Sequence, residues 1–264
     1  MSFSKVGLVG TGIIGEALIE VLFRSGLSKD SLFIAEKRRE RKDEIIARFG
    51  VSEIKSYSSL DATLLAVKPQ DFQATFESIS EFLSRSPLVV SFAAGIKIKS
   101  IEEKLGKGSR VIRVMPNTPM VMGYGMSAIS LGSAATSDDQ EWVRGFLSKA
   151  GEVIVVDESL QDAVTATSGS GPAYYFAFTE AVVGAARRLG ISPEDATTLA
   201  SQTLIGAARM VEESGKELKT LRENVTSPNG TTAAALNSFA DSGLEEIVYK
   251  AMKAAKDRSI ELSS

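Results

Sequence analysis

Hydrophobic residues in the first part of the chain come in short, nearly unbroken runs separated by amphipathic stretches. The runs predict strands over residues 6–9, 32–35, 63–67, 88–92, 111–114, 126–131 and 153–156. The stretches between them predict helices over residues 14–23, 36–48, 72–83 and 138–149. Strands that are apolar along their whole length are buried on both faces, so the pattern predicts a parallel sheet with helices on each side. This is the doubly wound α/β architecture.

The pattern changes near Asp157 and Glu158, after which no strand is predicted. Helical runs rich in Ala and Gly take over at residues 173–189, 193–213, 232–240 and 244–261, and Ser192-Pro193 forms an N-cap and first-turn pair. We therefore predict an α/β domain over residues 1–157 and an all-helical domain over residues 158–264. The many small residues have two interpretations: high helix propensity alone, or helices that interlock with a second subunit.

No cysteine or histidine occurs among the 264 residues. Their absence excludes disulfides, thiolate catalysis and cysteine zinc sites, so we expect no metal and a proton source other than imidazole. A net charge of −3 gives no electrostatic support for nucleic-acid binding. No apolar run approaches the ~20 residues of a membrane span, and the N-terminus lacks a signal-peptide layout. We expect a cytoplasmic protein that binds neither nucleic acid nor a membrane.

A glycine-rich loop follows the first predicted strand and opens the first predicted helix. It reads Gly10-Thr11-Gly12-Ile13-Ile14-Gly15, which has the G-x-G-x-x-G spacing. In this motif the first glycine allows a tight turn, the second lets the backbone approach a pyrophosphate, and the third lets the helix pack closely on the strand. The position of the loop favours dinucleotide binding by a Rossmann-like domain over a purely structural glycine turn.

The end of the second predicted strand carries charges that bear on the choice between NAD and NADP. Glu36 could accept a hydrogen bond from the ribose 2′-hydroxyl, which favours NAD. Lys37, Arg38 and Arg39 follow at once and could hold a 2′-phosphate, which favours NADP. The charged run could also be no more than the solvated start of a helix. Because of these basic residues we predict NADP, used as NADPH, as the cofactor, with NAD (NADH) as the alternative.

Three further loops leave the carboxyl ends of predicted strands, where ligands bind in open α/β sheets. They are Ala66-Val67-Lys68-Pro69-Gln70, Ala93-Ala94-Gly95 and Met115-Pro116-Asn117-Thr118-Pro119. Each alone is more often a plain loop. Together we expect them to surround the nicotinamide half of the cofactor.

Two stretches of the helical part are unusual. Residues 168–176 read SGSGPAYYF, which suits either an interdomain hinge or a close-packed helix start that lines a small pocket. Residues 226–232 read TSPNGTT and lead into an Ala-rich helix. Backbone N–H groups and two hydroxyls therefore meet at a helix N-terminus, which predicts a site for a small anion such as a carboxylate.

Taken in order along nearly the whole chain, these motifs resemble the pyrroline-5-carboxylate reductases. The matching segments are residues 10–15, 66–70, 93–95, 113–119, 168–174 and 226–232. The resemblance implies an NAD(P)H-dependent oxidoreductase that reduces the C=N bond of 1-pyrroline-5-carboxylate to L-proline, the last step of proline biosynthesis. It also implies a Rossmann-like cofactor domain followed by a helical domain that forms an interlocked homodimer, in some members part of a larger ring of dimers.

The resemblance also assigns roles to residues. It implies that Gly230, Thr231 and Thr232 bind the substrate, with its carboxylate on the turn. Thr232 matches the threonine proposed to donate or relay a proton to the ring nitrogen, so it is the predicted catalytic residue. Glu158 matches a substrate-contacting glutamate, and Asn224 matches a cofactor-contacting asparagine.

The chain departs from the family pattern in two places. The turn that commonly reads Pro-Gly-Gly is Pro228-Asn229-Gly230 here. Because Asn tolerates left-handed backbone angles, we expect the turn to keep its shape. The segment between Phe49 and Leu64 is short and lacks the asparagine or acidic pattern usual in the family, so the resemblance assigns no adenine-side contact there.

Three other classes of protein fit parts of the sequence. A reductase of the neighbouring 3-hydroxyacid dehydrogenase group shares the two-part layout but places a catalytic lysine in its second domain, and no lysine lies between Lys149 and Lys216. A non-catalytic dinucleotide-binding regulator would keep the glycine loop but has no reason to keep residues 227–232. A structural interaction protein has only the small-residue helices in its favour.

Overall fold

The computed structural model describes residues 3–83 and 88–262 of the chain. Within this part, the strands are β1 Val6–Val9, β2 Leu32–Ala35, β3 Ser52–Glu53, β4 Ala62–Leu65, β5 Leu88–Ser91, β6 Arg110–Met115, β7 Gly125–Leu131 and β8 Gly151–Val155. The α-helices are α1 Ile13–Arg24, α2 Arg39–Phe49, α3 Pro69–Leu83, α4 Ile98–Leu105, α5 Ser137–Leu147, α6 Gln161–Val164, α7 Gly171–Arg188, α8 Pro193–Ser214, α9 Leu218–Asn224, α10 Thr231–Asp241 and α11 Leu244–Glu261. A π-helical turn, Thr165–Gly169, follows α6 directly.

The strands form one sheet in the order β3-β2-β1-β4-β5-β6-β7-β8. Val9 at the end of β1 lies opposite Ala35 of β2 on one side and Leu65 of β4 on the other. The chain thus starts in the middle of the sheet, runs outward to β3 and returns to β4. This reversal creates a crevice at the carboxyl ends of β1 and β4, where doubly wound sheets bind their ligands. The predicted fold class is confirmed.

Each face of the sheet is covered by its own hydrophobic core because neighbouring residues of a strand point to opposite faces. In β5, for example, Leu88 and Val90 join the core under α1 and α5, whereas Val89 joins the core under α3 and α4. The strands read as apolar throughout for this reason. Burial on both faces fixes the sheet and, with it, the positions of the loops at its carboxyl edge.

One junction departs from the predicted parallel sheet, since β6 and β7 are antiparallel. The connection between them holds only the 3-10 turn Thr118–Met122. A parallel pair needs a crossover of a dozen or more residues, so a connection this short returns the chain in the opposite direction. The short elements β3, α4, α6 and α9 were not predicted either.

The chain divides into two compact units. The first unit comprises Met1–Ser170 and Ala254–Ser264, and the second comprises Gly171–Lys253. The predicted functional domains, residues 1–157 and 158–264, follow the change in sequence character and stay a prediction. Within the described residues, 3–83 and 88–262, no helix combines the length and the apolarity needed to cross a lipid bilayer.

The second unit buries little apolar surface by itself. Helices α7 and α8 pack against each other, and the rings of Phe178 in α7 and Phe239 in α10 lie 6.3 Å apart. The buried hydrophobic residues of this unit are Ala196 and Ala200. Its exposed large apolar side chains include Tyr175, Phe176, Leu199, Ile205, Met210, Val211, Ile247, Val248 and Tyr249. Exposed apolar surface of this extent is typical of a protein–protein interface.

Candidate functional site

The glycine loop Gly10–Gly15 has the backbone geometry that the motif requires. Gly10 has a φ of +89°, and a Cβ there would lie 2.8 Å from the Ala66 carbonyl oxygen. A Cβ on Gly15 would overlap the carbonyl oxygen of Gly10. Gly12 is the N-cap of α1, and a Cβ on it would meet no atom within 4 Å. The loop is therefore tight where helix and strand meet and open where the first N–H groups of α1 point outward, which fits a pyrophosphate.

Glu36 lies beside this loop because the ends of β1 and β2 are neighbours. Its Oε2 accepts hydrogen bonds from the Thr11 backbone N–H (3.1 Å) and hydroxyl (2.9 Å). Its Oε1 accepts from the backbone N–H and the Nε of Arg38, both at 3.0 Å. Burial raises the pKa of Glu36, but the hydrogen bonds from Arg38 and Thr11 outweigh burial and lower it to about 2. Glu36 is thus a fully ionised group whose two oxygens both have partners.

A second polar contact, not predicted from the sequence, holds Thr11 from the other side. The Nε of Arg41 donates to the Thr11 carbonyl oxygen at 3.0 Å, and Arg41 also pairs with Glu16 and Glu44. The hydrogen bond to Glu16 lowers the pKa of that carboxyl. The available signal was the charged run at residues 36–42, in which Arg41 lies in the first turn of α2 just after the N-cap residue Arg38.

The other predicted cofactor loops occupy the carboxyl edge of the sheet. Ala66 and Val67 follow β4 directly, with the exposed Lys68 next and Pro69 starting α3. Ala93, Ala94 and Gly95 follow β5, and Gly95 has a φ of +79°. A Cβ on Gly95 would lie 3.3 Å from the backbone of Leu262, so this loop abuts the end of α11.

Asn117, which follows β6, makes contacts that hold its own loop together. Its Nδ2 donates to the Ser168 carbonyl oxygen at 3.1 Å, and its Oδ1 accepts from the Met126 backbone N–H at 2.8 Å. The side chain therefore joins the loop to β7 and to the π-helical turn. Its predicted contact with a cofactor stays a prediction.

Glu158 belongs to a partly buried charge cluster in the first unit, centred on the buried Arg113. Its Oε1 accepts from the backbone N–H of Ile98 at 2.7 Å and from the guanidinium of Arg113 at 3.2 Å. Arg113 is 2% exposed and also lies 3.7 Å from Asp162. Arg113 was not among the predicted site residues, although a single arginine inside the apolar strand Val111-Ile112-Arg113-Val114 marks a charge that must find buried partners.

In the second unit, the predicted anion-binding turn leads directly into α10. Asn229 has a φ of +61°, so it supplies the left-handed conformation expected of it. Gly230 is the N-cap, its N–H donates to the Ser227 carbonyl oxygen at 3.0 Å, and a Cβ on it would overlap the Ser227 hydroxyl.

Thr231 and Thr232 are the first two residues of α10, where backbone N–H groups lack an acceptor within the helix. Thr232 is partly buried and Thr231 is exposed. Asn224 ends α9, six residues before the N-cap.

Two groups of the predicted residues thus lie together, one in each unit, whereas Asn117 and Glu158 make separate contacts within the first unit. The glycine loop, Lys37, Arg38 and the 66–69 loop share the crevice edge of the first unit, and residues 230–232 share the start of α10 in the second. Across residues 3–83 and 88–262, no group of three acidic, cysteine or histidine side chains is placed to hold a metal ion.

Two family models match the chain. The model described as pyrroline-5-carboxylate reductase dimerisation matches residues 158–262. The model described as NADP oxidoreductase coenzyme F420-dependent matches residues 5–95.

Known proteins are similar to the chain over its whole length. A pyrroline-5-carboxylate reductase of Corynebacterium melassecola is 40% identical and covers 98% of each sequence. The structure of a pyrroline-5-carboxylate reductase from Coxiella burnetii has a TM-score of 0.91 with 33% identity and covers 100% of both chains. A pyrroline carboxylate reductase of Plasmodium falciparum with NADP bound has a TM-score of 0.85 with 28% identity and also covers 100% of both chains.

Proposed function

The chain belongs to the pyrroline-5-carboxylate reductase family, and from this premise we propose that it reduces the C=N bond of 1-pyrroline-5-carboxylate to give L-proline, with NADPH as the reductant. The observation that carries the proposal is the family relationship, which extends over both units. NADH is the alternative reductant. In a cell the reaction would be the last step of proline biosynthesis in the cytoplasm.

The first unit supplies the residues proposed to bind the dinucleotide. Residues 10–15 would hold the pyrophosphate on the first N–H groups of α1, and Lys37 and Arg38 would supply positive charge for a 2′-phosphate. The loops at residues 66–69 and 93–95, with Asn117, are the proposed contacts on the nicotinamide side. When bound, the cofactor supplies the hydride.

The second unit supplies the proposed carboxylate site. Gly230, Thr231 and Thr232 combine backbone N–H groups, two hydroxyls and the positive end of a helix dipole, which together suit a small anion. Asn224 is a proposed cofactor contact of this unit. Glu158, in the first unit, is a proposed contact of the substrate.

The chemistry asks for little acid strength from the protein. A protonated imine is a strong hydride acceptor, so the main task is to bind and orient the reactants, which suits a chain without histidine. We assign two roles to Thr232: its hydroxyl forms a hydrogen bond with the ring nitrogen, and it donates or relays a proton to that nitrogen.

We propose further that the chain works as a homodimer. Its helical part, residues 158–264, would form the dimer interface, and residues 1–157 would form the NAD(P)-binding part. The exposed apolar side chains of α7, α8 and α11 support this assembly, because burying them in a partner would remove their contact with water. The family resemblance extends this proposal to a larger ring of dimers.

The proposal is tested by mixing purified protein with 1-pyrroline-5-carboxylate and either NADPH or NADH. Loss of reduced-nicotinamide absorbance that depends on the substrate, together with newly formed proline, is the expected result. Faster oxidation of NADPH than of NADH is expected as well. Folded protein that binds a dinucleotide but oxidises neither reductant would instead favour a non-catalytic regulator.

A further inference from the structure

Glu36 stands where doubly wound domains that bind NAD place an acidic group for the ribose 2′-hydroxyl. Its side chain is 7% exposed and is turned toward the protein. Oε2 binds Thr11, and Oε1 binds the backbone and side chain of Arg38. A carboxylate with both oxygens engaged in this way is poorly placed to accept another hydrogen bond from a ribose.

The side chain that reaches solvent at this point is Arg38. It is 66% exposed, and its Nε is held 3.0 Å from Glu36. When one edge of a guanidinium is held in this way, its other N–H groups can still donate to a ligand. Their planar arrangement matches the oxygens of a phosphate. Without the contact to Glu36, the long exposed side chain of Arg38 would lose more conformational entropy when it bound a phosphate.

The same carboxylate also fixes the glycine loop. Glu36 binds the N–H of Thr11 and Arg41 binds its carbonyl oxygen, so both peptide groups of Thr11 are tied to the segment that carries Arg38. The pyrophosphate loop and the proposed phosphate-binding arginine therefore keep a fixed spacing.

We propose that Glu36 is a positioning residue for NADP: it orients Arg38 toward the 2′-phosphate and, through Thr11, sets the distance from that arginine to the glycine loop. This inference rests on one part of the proposed function, the binding of a dinucleotide in the first unit, and does not depend on the reaction. The acidic group at the end of β2, which favours NAD by position alone, here serves the preference for NADP.

Calorimetric titration of the whole protein with two cofactor fragments, adenosine 2′,5′-bisphosphate and 5′-AMP, tests this inference without turnover. The wild type should bind the bisphosphate at least about tenfold more tightly, and Arg38→Gln should lose most of that difference. Arg39→Gln is the matched control, because Arg39 carries the same charge one residue further on and its side chain is 91% exposed.

The decisive variant is Glu36→Gln, because a positioning role and a purely electrostatic role predict opposite changes in the affinity for the bisphosphate. If Glu36 positions Arg38, affinity for the bisphosphate should fall about fivefold or more while affinity for 5′-AMP changes less than about twofold. If Glu36 acts only through its charge, removing it should strengthen bisphosphate binding, and Glu40→Gln, the same change in the exposed first turn of α2, should do likewise. Strengthened binding, or an equal loss for both fragments, would overturn the proposal.

Failure of the role proposed for Glu36 can be distinguished from failure of the proposed reductase activity. Protein that shows the selective loss but does not reduce 1-pyrroline-5-carboxylate would refute the reaction and leave the role of Glu36 standing. An active reductase in which Glu36→Gln keeps the wild-type ratio of the two affinities would refute the role of Glu36 alone.

Discussion

Gly15 shows how closely single atoms constrain the glycine loop. Because a Cβ there would overlap the Gly10 carbonyl oxygen, Gly15→Ala should displace α1 from β1 and destabilise the protein by about 1–3 kcal/mol. Urea unfolding measures this cost, and a dinucleotide titration should show weakened binding.

Gly145→Ala is the matched control for this change. Gly145 lies in α5, and a Cβ there would meet no atom within 4 Å. The same substitution should therefore stabilise the protein by about 0.5–1 kcal/mol through helix propensity. If the two alanine variants unfolded alike, the close contact at Gly15 would be ruled out.

Thr232 carries the proposed proton transfer, so its hydroxyl should matter more than its shape. Thr232→Ala should lower kcat roughly 10- to 100-fold, the low end of general-acid effects, whereas Thr232→Ser should keep much of the activity. Steady-state kinetics with 1-pyrroline-5-carboxylate measure both, and Thr220→Ala, on the exposed surface of α9, controls for the loss of a hydroxyl in the same unit. Wild-type turnover in Thr232→Ala would remove the threonine from the mechanism.

At the scale of elements, Glu36 joins the end of β2 to the glycine loop and to the start of α2. The pKa of Glu36 is lowered from 4.5 to about 2 in the folded protein, so folding favours the ionised form. The resulting stability is fully present above about pH 4.5 and is lost as the pH falls from there through about 2.

Glu36→Gln should remove this dependence. The difference in free energy of unfolding between wild type and variant should be largest above about pH 4.5 and shrink as the solution is acidified. Urea unfolding across that range is the measurement, with Glu40→Gln expected to follow the wild type. A difference that stays constant with pH would show that ionisation of Glu36 is not linked to folding.

Hydrophobic patterning was sufficient to predict the long elements but not the short ones. The apolar strands and the glycine loop follow from local sequence, because burial on both faces of a sheet leaves a continuous apolar run. Helix α4 and the antiparallel pairing of β6 with β7 depend on the length of a connection and on tertiary packing, which a pattern over a few residues does not encode.

The site shows the same division. The turn at Asn229 and Gly230 was predictable, because its shape is set by the residues themselves. The contact of Glu36 with Thr11 and the ion pairs of Arg113 were not, because the partners lie far away in the sequence: Thr11 for Glu36, and Glu158 and Asp162 for Arg113.

At the scale of the whole molecule, the exposed apolar side chains of the second unit predict an associating protein. Sedimentation equilibrium should give twice the mass of the chain or a multiple of it. Phe176→Glu, at a position 63% exposed in the groove between α7 and α8, should shift the protein toward monomer or make it aggregate. Phe82→Glu, a similar change at a position 51% exposed in the first unit, should not. A wild-type protein that sediments as a stable, folded monomer would contradict the proposed dimer.

The step that defines the proposed enzyme is the transfer of a hydride from NADPH to the imine carbon of 1-pyrroline-5-carboxylate. The most direct measurement uses NADPH that carries deuterium on the transferable position of C4, followed by mass spectrometry and NMR of the product. The expected product is L-proline with one deuterium at C5, the ring carbon on the other side of nitrogen from the carboxyl-bearing carbon. Unlabelled proline, or oxidation of NADPH without proline, would contradict it.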